Sequence, residues 1–394
     1  MTNPVICSIA RTPIGRFSGA YTPLTAMELG AAAISGALER AGLEPGSVDE
    51  VLFGHVIQAG QGQITARQAA TKAGIPMTVP ATTINKVCLS GMTAIAEAGR
   101  HIRLGEAQFI VAGGMESMTN APYVLPKARH GLRMGDATLV DAMMHDGLWC
   151  AFDHCTMGES SDQKNRQLGI GRTEQDEWSA ASHARAEAAT NSGAFADEIV
   201  PVNVPQRRGD PVVVSADEGI RPGTTAESLG KLRPAFVGDG TITAGNASQI
   251  SDGAAAVVVA DRKAAEAAGI PILAEIVAYG QTAGPDASLH ERPAEALRIA
   301  FKRSGLEASD LALYEINEAF AAVAMHSANM LDVGHDRVNV NGGAVAMGHP
   351  LGATGARITV TLINALRQRG GGLGGAALCG GGGQGDALIV KVEG

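Results

Sequence analysis

Three short blocks of this 394-residue chain recur, in the same order, in its last third. Arg40-Ala-Gly-Leu-Glu44 returns as Arg303-Ser-Gly-Leu-Glu307, and Cys88-Leu-Ser-Gly-Met-Thr93 as His349-Pro-Leu-Gly-Ala-Thr354. Ala112-Gly-Gly114 aligns with Cys379-Gly-Gly381. The offsets of 263, 261 and 267 residues are nearly constant. A period that long is a whole domain and not a solenoid unit. Strand signals alternate with helix signals in both copies, which predicts two similar α/β halves with largely parallel sheets. The length also exceeds what one hydrophobic core usually supports.

In the first copy, residues 5–10 read as a buried strand and Arg11-Thr-Pro-Ile-Gly15 as a turn. Met27 to Ala41 reads as a helix stopped by Gly42. Val51-Leu-Phe53 is a short strand, Thr65 to Ala73 a helix, and Ala81 to Val87 a β-branched strand. Cys88 then opens a helix, and Phe109 to Gly114 is a strand running into glycines. From about Met115 to Ala247 the chain has no counterpart in the other copy, so this stretch is expected to be a large insertion. Residues 248–260 return to a buried strand that closes the first half. The resulting division is 1–118 plus 248–270, an insertion at 119–247, and a second half at 271–394.

Composition excludes several classes. The net charge of −9 gives no basic excess for nucleic acid, although a local basic patch could meet an anionic ligand. No run of about eighteen apolar residues predicts a membrane span, and the first residues lack a secretory signal pattern. Five cysteines in a long chain do not form a disulfide framework, so a cytoplasmic setting is expected. Cys150, His154 and Cys155 match no common zinc spacing, and no metal is expected.

The chemistry concentrates in a few places. Asn341 to Gly355 is rich in glycine and alanine, carries His349 before a proline, and leads into a helix whose first N–H groups are unpaired. The duplication sets Cys88 at the equivalent point of the other half. A thiol at a helix start is expected to have a lowered pKa, and a neutral histidine nearby can take its proton. Cys379 is followed by glycines whose N–H groups are free for an oxyanion. A free cysteine is more often a small buried hydrophobe, which is the reading for Cys7, Cys150 and Cys155. Asn317 has the residue type of a helix cap, and Glu318 is expected to cap or pair locally.

Asn85-Lys-Val-Cys88-Leu-Ser-Gly91, Gly113-Gly-Met-Glu-Ser-Met118, Asn317-Glu-Ala-Phe320, Gly348-His-Pro-Leu-Gly-Ala-Thr-Gly355 and Cys379-Gly-Gly-Gly-Gly-Gln-Gly385 together resemble the thiolase family. The resemblance runs over essentially the whole chain. Gly114 to Tyr123 is similar to the biosynthetic, acetoacetyl-CoA branch. It implies a layered α-β-α-β-α fold of duplicated βα halves with a loop domain inserted in the first. It implies that Cys88 carries the acyl group, that His349 activates Cys88, and that Cys379 moves a proton at the α-carbon of the second acetyl-CoA. Asn317 would hold a water in one oxyanion hole, and the N–H groups of Cys88 and Gly380 would form the other. Leu148, Met157, Arg221, Ser228, Phe236, Ala244, Ser248, Ala319 and Phe320 would line the path of coenzyme A, a substrate and not a resident cofactor. A homotetramer, a dimer of dimers pairing again near Tyr123 to Gly135, is implied too. The chain departs from the branch at Thr156, where histidine is usual, and in the Gly380-Gly-Gly-Gly-Gln384 run. The alternatives are a thiolase acting on longer 3-ketoacyl chains and a silent acyl-CoA-binding relative. A ketoacyl synthase pairs its cysteine with two histidines, which Cys379 disfavours.

Overall fold

The computed structural model describes residues 3–394. Nine strands carry the fold: β1 (Pro4–Arg11), β2 (Glu50–Gly54), β3 (Ala81–Ile84), β4 (Phe109–Ser117), β5 (Ser251–Asp261), β6 (Ala274–Ala283), β7 (Leu313–Ile316), β8 (Gly372–Gly380) and β9 (Gln384–Val392). They hydrogen-bond in the order β7-β8-β9-β6-β1-β5-β4-β2-β3. The order reads alike from the β1–β6 contact outwards: β1, β5, β4, β2 on one side and β6, β9, β8, β7 on the other. A parallel bridge from Tyr314 to Val338 stands where β3 would be repeated. The halves are therefore related by an approximate two-fold axis through the antiparallel β1–β6 pair.

The helices that matter to the site are α1 (Ala26–Ala41), α2 (Ser90–Leu104), α3 (Met157–Leu168), α4 (Arg172–Ser192), α5 (Arg292–Ser304) and α6 (Leu351–Gln368). Alternation along the strands makes the layers. Ile6, Ile9, Val257 and Val259 of the first half join Leu378, Leu388 and Val390 of the second in one core around α2 and α6. Their neighbours Val5, Cys7, Ala256 and Val258 face α1 instead. Ala377, Ala387 and Ile389 face α5. Period-two side-chain placement thus yields helix, sheet, helices, sheet, helix. The central pair packs closely because glycines meet there. A Cβ on Gly91 would lie 2.9 Å from the backbone of α6, and one on Gly355 would lie 2.4 Å from the Met92 nitrogen.

Two expectations change. The sheet is mixed: among the described strands, parallel pairs are β2–β3, β2–β4 and β7–β8. The long β5 and its counterpart β9 run antiparallel to their neighbours. The third repeat block is also displaced. Val51 pairs with Val111 and Tyr314 with Gly375, so Ala112 corresponds to Ala376, and Cys379 to Met115. Strands made of glycine and alanine carry too little side-chain identity to fix an alignment. The first block holds, since Gly42 and Gly305 both cap the equivalent helices α1 and α5 in the left-handed conformation.

Candidate active site

Helices α2 and α6 begin two residues after Cys88 and His349 respectively, so the duplication brings these side chains together at the middle layer. Cys88 sits on a tight turn. Val87 has φ of +50°, rare for a β-branched residue. The Val87 N–H donates to Asn85 Oδ1 at 3.1 Å, and Ser90 Oγ donates to the Val87 carbonyl at 2.5 Å. Cys88 precedes the helix and is not part of it. Burial pushes its thiol up to about 12, against a lowering by the backbone N–H groups of Cys88 and Gly381 that face the sulfur. The expected lowered pKa is therefore overturned, because loss of water outweighs the helix terminus.

His349 is buried, and its Nδ1 lies 2.6 Å from Thr354 Oγ1. The Thr354 hydroxyl donates its one proton to the Pro350 carbonyl at 2.8 Å. It can therefore only accept from Nδ1–H, which leaves Nε2 unprotonated. Burial first, then the charge of Arg357, pull the imidazole down to about 3, so the ring is neutral. Asn317 Nδ2 is 3.5 Å from His349 Nε2, and Asn317 Oδ1 is buried without a partner. Asn317 is no helix cap; the following helix begins at Ala321, and the Asn317 N–H donates to Ala377 O in the sheet. Cys379 is buried at the end of β8, and burial, then Cys88, raise its pKa.

Cys88, His349, Cys379 and Gly380 line one narrow cavity of about 60 Å³. A second cavity of about 460 Å³ opens beyond it. Leu148, Met157, Ser248, Ala319 and Phe320 line both, which makes them the passage between the two. Arg221, Phe236 and Ala244 line the outer cavity. Ser228 lines neither; it is exposed, and its hydroxyl bonds Thr225 within its own short helix. The phenyl ring of Phe236 lies where a Cβ on Gly158 would be, 2.4 Å away, so that glycine admits the ring at the start of α3.

Three features escaped the sequence. Beside the N–H of Cys88, that of Gly381 faces the Cys88 sulfur. Arg16, placed by its pairing with Ser251, adds a second guanidinium to the outer cavity. Two buried carboxylates brace the site. Glu116 accepts from Val56, Ile57 and Gly352 N–H at 3.1, 3.2 and 2.9 Å, tying the first half to the start of α6. Glu318 does not pair locally: it accepts from Trp178, Ser182, Asn339 and the Val345 N–H on the histidine loop. Both lie in blocks singled out in the sequence, Glu116 in Gly113-Gly-Met-Glu-Ser-Met118 and Glu318 in Asn317-Glu-Ala-Phe320, but the partners of Glu318 lie far away in sequence and only the fold assembles them.

A doubled α/β frame with two cysteines, a histidine and an asparagine at its axis defines a class, and sequence models agree. Residues 4–263 match the thiolase N-terminal domain and residues 270–392 the thiolase C-terminal domain. The chain belongs to the thiolase family. Among relatives, a protein of Mycobacterium tuberculosis named probable acetyl-CoA acetyltransferase is 54% identical over 391 residues, covering 99% of this chain and 100% of its own. The acetyl-CoA acetyltransferase of Pseudomonas aeruginosa is 49% identical, with 99% of each chain covered. The crystal structure of the Bacillus anthracis acetyl-CoA acetyltransferase superposes with a TM-score of 0.97 at 43% identity, covering 100% of this chain and 99% of that one.

Proposed function

We propose that this chain is an acetyl-CoA C-acetyltransferase, joining two acetyl-CoA into acetoacetyl-CoA and free CoA, and running the thiolysis in reverse. The observation that carries the reading is the meeting of Cys88, His349 and Cys379 on one cavity, with Asn317 behind it. Cys88 attacks the thioester carbonyl and His349 Nε2 takes its proton. A thiol held near 12 and an imidazole near 3 make a standing ion pair unfavourable. Proton transfer therefore accompanies attack. The N–H groups of Cys88 and Gly381 stabilise the oxyanion at the carbonyl being attacked. CoA leaves as a thiolate and takes the proton of Cys379, and a second acetyl-CoA enters. The Cys379 thiolate takes its α-proton while the protonated Nε2 of His349 and a water on Asn317 hold the enolate oxygen. The carbanion then attacks the acetyl carbon on Cys88, whose sulfur leaves and recovers its proton from His349. Ping-pong kinetics follow from the covalent intermediate.

The small inner cavity suits an acetyl group. Residues 119–247 supply Leu148 and Met157 of the passage and Arg221, Phe236 and Ala244 of the outer cavity, and we assign them to the pantetheine and nucleotide of CoA, with Arg16 and Arg221 free to meet its phosphates. CoA is substrate, and the reading requires no resident cofactor. Thr156, in the outer wall, favours a second reading, preference for longer 3-ketoacyl chains. Thiolysis with free CoA separates them. Faster turnover of acetoacetyl-CoA than of a long straight-chain 3-ketoacyl-CoA is expected; the reverse order selects the second reading, and no turnover with CoA bound selects a silent relative.

Assembly belongs to the same proposal. Tyr123, Leu132 and Met134 are 64%, 57% and 97% exposed, more than a lone surface is expected to gather in one loop. Among the described residues, β3 leaves one edge unpaired. A homotetramer using both surfaces, in the cytoplasm, is the expected form; a monomer by light scattering rejects it. Among the described residues no helix is long and apolar enough to cross a membrane.

A further inference from the structure

We propose that Cys150 and Cys155 form a reversible thiol–disulfide site in the wall of the passage. They lie on a two-rung hairpin, Trp149–Cys150 against Cys155–Thr156, whose register sets Cys150 directly opposite Cys155. Directly opposed residues on antiparallel strands project to the same face with Cα atoms about 4.5–5.5 Å apart. A disulfide needs about 4.4–6.8 Å. The turn between them is exposed through Asp153 and His154, and His154 holds φ of +53°.

The two thiols differ in access, and that difference orders the chemistry. Cys150 is buried, its sulfur accepting the Asp153 N–H at 3.3 Å, whereas Cys155 is partly exposed. Burial, then Asp153, then Cys150 hold the Cys155 thiol above its ordinary pKa, so exchange is slow at neutral pH. The oxidant is a small-molecule disulfide, RSSR. Cys155 loses its proton to solvent and attacks one sulfur of RSSR; the S–S bond breaks and RS⁻ leaves to take up a proton. Cys150 then loses its proton and attacks the Cys155 sulfur, expelling the second RS⁻. Two protein thiols are oxidised and one RSSR is reduced to two RSH. In a compartment whose thiols are kept reduced, such a link is transient and regulatory.

The consequence lies in the flanking residues. Leu148 and Met157 precede and follow the hairpin, and both line both cavities. A Cys150–Cys155 bond pins the spacing of these two walls without touching Cys88 or Cys379.

The test uses the whole protein with excess glutathione disulfide, then alkylation under denaturing conditions and tryptic digestion. One peptide, Met134 to Lys164, contains both cysteines and neither Cys88 nor Cys379, so the readout does not depend on the acyl-transfer reading. The expected peptide is unalkylated, lighter than the reduced form by two hydrogens, and restored by dithiothreitol. Its rate of formation should rise about tenfold per pH unit below the Cys155 pKa. Cys150→Ser should stop at a glutathione adduct on Cys155, and Cys155→Ser should leave Cys150 unmodified. A wild-type peptide that is doubly alkylated, or that retains the glutathione adduct, overturns the proposal.

Discussion

The turn before α2 and the turn before α6 occupy equivalent places, yet each meets the same demand differently. Both need a residue at positive φ just before the reacting side chain: Val87 at +50° and Gly348 at +116°. Ahead of Cys88 the chain keeps a β-branched residue there and holds it with the Asn85 and Ser90 side chains. Such a conformation costs about 1–3 kcal/mol and persists only where its surroundings over-determine it. Ahead of His349 only glycine fits, since a Cβ on Gly348 would lie 2.1 Å from Ser251 Oγ and 2.8 Å from Ile14. The cysteine turn is therefore held by local hydrogen bonds, and the histidine turn by packing from β5 and the first half. Duplication supplied a symmetric frame; divergence placed a nucleophile in one arm and a base in the other.

The comparison can be tested from its largest consequence downward. Cys88→Ala should abolish labelled acyl-enzyme and lower turnover by about 10³-fold or more, whereas a variant that still carries the acyl group would remove Cys88 from its role. Gly348→Ala should lose about 2–4 kcal/mol in denaturant unfolding, with both φ and packing violated. Val87→Ala should lose less, and the opposite ranking would break the contrast. Thr354→Val leaves the His349 Nδ1–H without an acceptor and frees its tautomer. Turnover should fall about tenfold, a cost near that of one buried orphaned group. Ser90→Ala removes one clamp on the Val87 carbonyl and should cost about 1 kcal/mol with little change in KM. Stability also depends on pH. Burial depresses His183 to about 4 and His290 and His349 to about 3. Below the unfolded histidine pKa of about 6.5 the unfolded chain binds more protons than the folded one. Stability is therefore full above that value and declines as pH falls toward 3, which thermal melts across this window would reveal.

Much of the site was legible because its residue types are chemically rare in their settings. A histidine between glycine and proline, and a cysteine before a helix that recurs, could be singled out without coordinates. Leu148, Met157 and Phe236 followed from motif likeness, and the cavities gather them. Ser228 was named by the same means and lies outside both cavities, since its own short helix satisfies its hydroxyl. Arg16 was invisible because β5 places it, from some 235 residues further along the chain. The ionisation of Cys88 was misjudged for a related reason: the helix start is local, but the burial that outweighs it comes from both halves.

The sequence alone determined the duplication, the strand alternation that divides apolar residues among three cores, the glycines that stop α1 and α5, and the reactive side chains. These are local or periodic properties, carried by spacing and residue type. Tertiary structure decided the mixed sheet, the alignment of Cys379 with Met115, the approach of the Gly381 N–H to the Cys88 sulfur, and the neutral state of thiol and imidazole. Each depends on which backbone meets which across the two-fold axis, and on how much water that meeting excludes.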